Sequence, residues 1–319
     1  MNDANDARLI GTRVPYGRLP AEVRRWVTAQ LGAPVVSAQQ RVGGMSPAVA
    51  VSLRAANGAT AFVKAVAPRI NPDTPSMFRH EAAVLQRLPS VPYRARLIAC
   101  YDDEQWVAIM LEDIAGRHPD WSSTSERDAV LAAVQAQTAE LTPNPGLPSN
   151  LGTATDGLAK HAAILEDPSS TELAVLPGWT RAELPALTSL VLDTTEAMST
   201  GTFCHWDIRH DNILVRDSDQ QPVLLDWGMS RAGPAWGDTA VYALEWVEEP
   251  YFDDVVATLH LDRDEQTAVT GLIAGLGLYC LMMSTHPHPP SLPNLPAFRG
   301  ELGRRCLIGV RRRLGIPAV

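Results

Sequence analysis

The hydrophobic period of this chain changes near Gly116, and the change limits what the chain can fold into. Before it, short apolar stretches alternate with polar residues and are broken by turns; after it, apolar residues recur mainly at helical spacing. Val49–Leu53 and Ala61–Val66 flank the dipeptide Asn57-Gly58 and predict a β-hairpin with Lys64 on its second strand. Ala95–Tyr101 and Trp106–Glu112 predict two more strands. Leu19–Leu31 is an amphipathic helix, with Leu19, Val23, Trp26, Val27 and Leu31 on one face. After a proline-rich connection over 68–75, Met77–Leu88 places Met77, Val84, Leu85 and Leu88 at helical spacing around Glu81. An antiparallel sheet carrying one helix is thus complete by about residue 113.

Beyond Gly116, Ser125–Leu141 and Arg181–Ser199 read as long helices, the second stopped by Gly201 at the C′ position. The intervening Thr142–Gly178 is rich in Pro and Gly and reads as loop, either a lid or a plain connection. Strands return at Asn212–Val215 and Pro222–Leu225, joined by a polar turn, and helices resume from Asp238. The fold class is α+β: a small sheet-bearing lobe over 1–113, then a larger, mainly helical lobe over 114–319, with a hinge near Glu112–Gly116.

Acidic residues number 36 and basic ones 27, a formal charge of −9 that argues against a nucleic-acid or anionic-membrane surface and is compatible with a small cationic ligand. Cys100, Cys204, Cys280 and Cys306 show no C-x-x-C pairing, which suggests neither zinc nor a disulfide framework and suits a reducing cytoplasm. Residues 1–13 are polar, unlike a signal peptide. The most apolar run, Val269–Met283, is interrupted by three glycines and is shorter than the roughly 20 residues of a membrane span, so it reads as a buried helix.

Among the 27 basic residues only Lys64 and Lys160 are lysine. A chain that spells positive charge as Arg nearly everywhere marks each lysine as a place where a compact ammonium matters. The most informative string is Phe203-Cys-His-Trp-Asp-Ile-Arg-His-Asp-Asn-Ile-Leu-Val215, followed by Leu224-Leu-Asp-Trp-Gly228. In it His205-x-Asp207-x₄-Asn212 leads through a tight hairpin to Asp226. Phosphoryl transfer from Mg·ATP needs a carboxylate to hold the acceptor hydroxyl and oxygen ligands that fix magnesium on the phosphates. Asp207 suits the first task; Asn212 and Asp226 suit the second.

With Lys64 on a strand, Glu81 on a helix and these motifs in order, the chain resembles the aminoglycoside phosphotransferase and choline kinase-like family, relatives of the eukaryotic protein kinases, over roughly residues 35–250. The resemblance implies a bilobal protein-kinase-like fold. It also implies that Lys64 contacts the α- and β-phosphates and pairs with Glu81. Arg41-Val-Gly-Gly-Met-Ser-Pro47 sits where the nucleotide loop should be, so Gly43, Gly44 and Ser46 would turn amides toward phosphate; a plain turn is the other reading. Ile109–Gly116 resembles the lobe connection, where the backbone of Glu112 and Ile114 would meet the adenine edge. Arg209 would neutralise charge on the transferring phosphoryl group, or else bridge Asp211 or a neighbouring loop. His205 would brace the catalytic loop; Asp238 would cap a helix and anchor that loop. Two departures stand out: Trp206 occupies a position often glycine in these enzymes, and Trp227 replaces a common phenylalanine.

The segment after Gly228 lacks a long activation segment ending in Ala-Pro-Glu, which favours a small hydroxyl-bearing acceptor over a protein. The run Glu245–Asp254 joins five acids to three aromatics shortly after Asp238. With Asp211, its Glu245, Glu248 and Glu249 are candidates to hold a cationic acceptor such as an aminoglycoside or another antibiotic; the alternative is a solvated helix face. The expected activity is ATP- and Mg²⁺-dependent O-phosphotransfer. A metabolic kinase for a sugar, amino acid or amino alcohol, and a nucleotide-binding pseudokinase, are the competing readings.

Overall fold

The computed structural model describes residues 11–41, 43–148 and 150–317. Its elements begin with α1 (Ala21–Leu31), β1 (Val35–Gln40), β2 (Val49–Ala55), β3 (Thr60–Val66), α2 (Thr74–Leu85), β4 (Leu97–Asp102), β5 (Val107–Leu111), β6 (Gly116–Arg117) and α3 (Thr124–Glu140). They continue with α4 (Ala154–Ala163), α5 (Ser170–Val175), α6 (Gly178–Ala182), α7 (Leu184–Ala197), β7 (Thr202–Cys204), β8 (Ile213–Arg216) and β9 (Pro222–Leu224). The last are β10 (Arg231–Gly233), α8 (Gly237–Ala243), α9 (Tyr251–Ala257), α10 (Arg263–Met283) and α11 (Leu295–Arg313).

The elements form two compact units. One comprises the chain up to Ala133 with His210–Met229 and Pro289–Asn294; the other comprises Val134–Arg209, Ser230–His288 and the chain from Leu295. Packing therefore joins 210–229 to the sheet-bearing part of the chain. The cause is local: β8 pairs with β6 and β9, and the 3₁₀ turn Trp227–Met229 lies against α2.

In the first unit an antiparallel sheet has the order β1-β2-β3-β5-β4. The expected hairpin is β2–β3; the edge strand β1 was not foreseen, because Val35–Gln40 is almost wholly exposed and carries no alternating apolar signal. Period two divides β3 between two faces. Ala61, Val63 and Ala65 join Leu19, Val23, Val27 and Leu31 in a core beneath α1, whereas Val66 packs with Phe78 of α2. Lys64 has the parity of Val66, so it points at α2. That helix begins at Thr74, earlier than expected, because Pro75 occupies its first turn, where the missing N–H costs nothing.

In the second unit, Thr142–Gly178 contains α4 and α5 as well as loop. Each begins in a capping box, Thr153 with Asp156 and Ser169 with Glu172. The expected helix over 181–199 is divided: Ala182 ends α6, Pro185 lies in the first turn of α7, and Met198 closes α7 in an extended conformation, so Gly201 is not a C′ cap. The apolar helix α10 packs on α4, α7 and α11. An Asp262–Glu265 capping box starts it six residues before Val269, giving it 21 residues; by length and composition it could cross a membrane, but most of its apolar stretch is buried.

Candidate active site

In the first unit, three side chains converge on the second strand of the hairpin. Lys64 Nζ lies 2.9 Å and 3.1 Å from the two carboxylate oxygens of Glu81 and 3.0 Å from Asp226 Oδ1. Side-chain exposure falls from 29% at Asp226 to 11% at Lys64 and 1% at Glu81. Burial pushes the ammonium down, but Asp226 and Glu81 outweigh it, so Lys64 stays charged above its ordinary range. Burial raises the Glu81 carboxyl to about 7 against the pull of Lys64 and of a hydrogen bond from the Trp227 N–H. A buried ammonium fixed by two acids is a charge aimed from a rigid strand.

Asp226 follows the β8–β9 hairpin, in which Ile213 pairs with Leu224. Leu225 N–H donates to Asn212 C=O at 2.8 Å, which ties the backbones beside Asn212 and Asp226 together. Asp226 has φ +66°, a left-handed conformation uncommon outside glycine and asparagine, and such backbone concentrates at functional positions. An amide and a carboxylate oxygen fit Mg²⁺, which takes one or two protein oxygens and completes its shell with phosphate and water. No cluster of three or more His, Cys, Asp or Glu suited to a metal occurs among the described residues.

The expected nucleotide loop is strongly bent: Gly43 and Gly44 have φ of +102° and +77°, conformations an L side chain would strain. Its carbonyls at Gly43, Gly44 and Ser46 accept from Arg13. Nearby, Arg41 Nε donates to Ser52 Oγ at 2.7 Å, and Ser52 donates to Asp113 Oδ1 at 2.6 Å, coupling the start of the loop to the connection. In that connection Glu112 N–H is spent on Arg96 C=O, and Ile114 is buried with Ala95 and Val223.

The second unit holds Asp207 and Arg209. Their side chains form an ion pair at 3.1 Å and are each about one-fifth exposed, so Arg209 meets Asp207 itself. The loop before them is anchored by Asp238. Its carboxylate accepts His205 N–H and Trp206 N–H, both at 2.9 Å, and Gln137 Nε2 at 3.0 Å. His205, fully buried, accepts the Asp207 N–H on Nδ1, which fixes the tautomer with its proton on Nε2. The brace role of His205 and the anchor role of Asp238 match these contacts. Asp238 does not cap α8, whose N-cap is Trp236 without a side-chain bond. Trp206 has φ +61°, which explains why glycine suits this position, and its indole lies over Gly233, where any side chain would collide with it, and close to Gly237, where one would crowd it.

A family model described as the phosphotransferase enzyme family (APH) matches residues 37–267, well over half of the chain. The chain belongs to this family. No match was found among curated protein sequences. Among solved structures, a thermostable aminoglycoside phosphotransferase APH(4)-Ia with ADP and hygromycin B has a TM-score of 0.60 at 15% identity, covering 93% of this chain and 100% of its own. The choline kinase LicA from Streptococcus pneumoniae has a TM-score of 0.62 at 15% identity, covering 91% and 98%. These likenesses give this phosphotransferase the protein-kinase-like α+β fold.

The acidic run of this phosphotransferase is not a free cluster. Glu248 pairs with Arg304 at 3.2 Å and Arg305 at 2.9 Å, and Asp253 with Arg312 and Arg313, all four arginines lying on α11. Glu248 is therefore a structural ion-pair residue and not an open acceptor ligand. Trp246 and Phe252 are buried, and Tyr251 packs edge-on against Trp246, so the aromatics serve the core. Glu245, half-buried, offers its carbonyl to Arg305; Glu249 is exposed; Asp211 lies in the first unit, beside Asn212. The contributions of Arg13, Ser52 and Asp113 went unforeseen, since no local motif marks residues that meet only through the fold.

Proposed function

We propose that the protein transfers the γ-phosphoryl group of Mg·ATP to a hydroxyl of a small molecule. One observation carries the reading: Lys64 held by Glu81 and Asp226 is a rigid ammonium of the kind that positions nucleotide phosphates. The ADP and AMP of similar solved structures support a nucleotide ligand. Lys64 binds the α- and β-phosphates. Asn212 and Asp226 hold Mg²⁺, which when bound neutralises phosphate charge. Asp207 orients the acceptor hydroxyl and takes its proton as the acceptor oxygen bonds to the γ-phosphorus and the bond to ADP breaks. Paired with Asp207, Arg209 holds that carboxylate in place. Gly43, Gly44 and the Glu112–Ile114 backbone contact the nucleotide. Four free thiols suit work in a reducing cytoplasm.

The engagement of Glu248 and Asp253 by arginine weakens the case for a cationic acceptor, whether an aminoglycoside or an amino alcohol, so a neutral sugar or a zwitterionic amino acid stands level with them. The test is a panel of these acceptors incubated with γ-labelled ATP and scored by label transfer. Wild type should label one class and Asp207→Ala none, while both bind ATP. Undiminished turnover by Asp207→Ala would remove its role; ATP binding without transfer to any acceptor would favour a pseudokinase.

A further inference from the structure

A segment that no motif marked lies along the glycine loop. Gly11 N–H donates to Gly44 C=O at 3.3 Å, Val14 N–H to Ala48 C=O at 3.2 Å, and Thr12 N–H to Ser291 C=O at 3.0 Å. Between these ties Arg13 turns its guanidinium into the loop. Nη1 donates to Ser46 C=O at 2.6 Å, and Nη2 donates to the carbonyls of Gly43 and Gly44. The third nitrogen, Nε, is buried and makes no hydrogen bond. A buried N–H without an acceptor is costly, so this one is poised for an acceptor that the polypeptide does not supply.

The surroundings say what kind. Burial lowers the pKa of Arg13, while Asp226 and Asp211 pull it back up, so both carboxylates lie within electrostatic reach of the guanidinium. An anionic oxygen accepts a guanidinium N–H more strongly than a neutral one does. Guanidinium is also the cation best suited to phosphate.

We propose that Arg13 is a positioning residue of the nucleotide site, fixing the glycine loop through its carbonyls and offering Nε–H to a β- or γ-phosphate oxygen of a bound nucleoside triphosphate. It rests on the reading that the protein binds Mg·ATP. Selectivity for the triphosphate over the monophosphate is then partly Arg13's work.

The test is calorimetric binding of Mg·ATP, Mg·ADP and AMP to wild type, Arg13→Gln and Arg13→Lys, with thermal melts of each. Arg13→Gln should lose about tenfold or more in ATP affinity and less than about twofold for AMP, with Arg13→Lys between, since it keeps charge but not the fork. Equal losses for ATP and AMP would reduce Arg13 to a loop brace, and unchanged ATP affinity would remove it from the site; either overturns the proposal. Should Arg13→Gln melt before titration, the same ratio read on Arg13→Lys decides. Failure of wild type to bind ATP would instead strike the proposed function, so the two failures are distinct.

Discussion

Lys64 meets both oxygens of Glu81 across the interface of β3 and α2, in a pair almost wholly withdrawn from water. The space around its nitrogen is already shared with Asp226 at 3.0 Å and with the ring of Phe78, whose centroid is 5.7 Å away. An arginine would keep the charge but bring a wider, planar head into that space. Lys64→Arg should lower kcat/KM for ATP by about 100-fold, some 2.7 kcal/mol, while the melting temperature moves little. Steady-state kinetics with a thermal melt checks it.

Glu81 is more deeply buried than its partner, so removing it leaves the ammonium to Asp226 alone. Breaking one side of a buried pair is expensive, and the remaining acid offsets part of the loss. Glu81→Ala should destabilise the fold by about 2–3 kcal/mol in urea denaturation. Glu81→Gln, which keeps the shape, should cost about half as much.

Asp238 shows how loop geometry is stored at a distance in sequence. Its carboxylate is the acceptor for two successive N–H groups, those of His205 and Trp206. Asp238→Ala orphans both in a buried site and should cost about 3 kcal/mol or more, with kcat falling further than stability explains, since Asp207 follows one residue later. Asp238→Asn retains one acceptor oxygen and should fall between. Calorimetric unfolding beside single-turnover rates measures both parts.

Much of this arrangement is legible in the sequence because the chemistry is local there. Asp207, Asn212 and Asp226 fall on a short loop and one hairpin, and Lys64 and Glu81 on elements with clear periods. What was not legible has two physical sources. The helices α4 and α5 were hidden by Pro and Gly around them, although Thr153–Asp156 and Ser169–Glu172 carry the capping-box spacing that announces a helix start. The acids at 245–254 looked available because the arginines that neutralise Glu248 and Asp253 stand some 55–60 residues later on α11, a separation no local pattern reports.

His161 of α4 stacks on Tyr279 with ring centroids 4.2 Å apart, and burial, aided by the charge of Arg231, lowers its pKa from 6.5 to about 4. Between those values the unfolded chain holds a proton the folded chain refuses. Stability is therefore fully present above pH 6.5 and is lost as pH falls toward 4, by about 3 kcal/mol. Urea midpoints between pH 4 and 7 should slope accordingly, and His161→Phe should flatten this slope.

The contact of α10 with α7 depends on the absence of a side chain at Gly271. A Cβ there would lie 1.9 Å from Thr194 Oγ1 and 2.9 Å from Leu190 C=O. Thr194 cannot easily turn aside, because its hydroxyl already donates to Leu190 C=O at 2.8 Å, so relief requires the two helices to separate. Overpacking of this kind costs about 1–3 kcal/mol. Gly271→Ala should lie at the upper end of that range. Adding Thr194→Ala should recover part of the loss, since it removes the nearer obstacle and leaves the backbone carbonyl in place. A double-mutant cycle should therefore give a favourable coupling of about 1 kcal/mol; strict additivity of the two losses would mean that α7 and α10 do not meet through these residues.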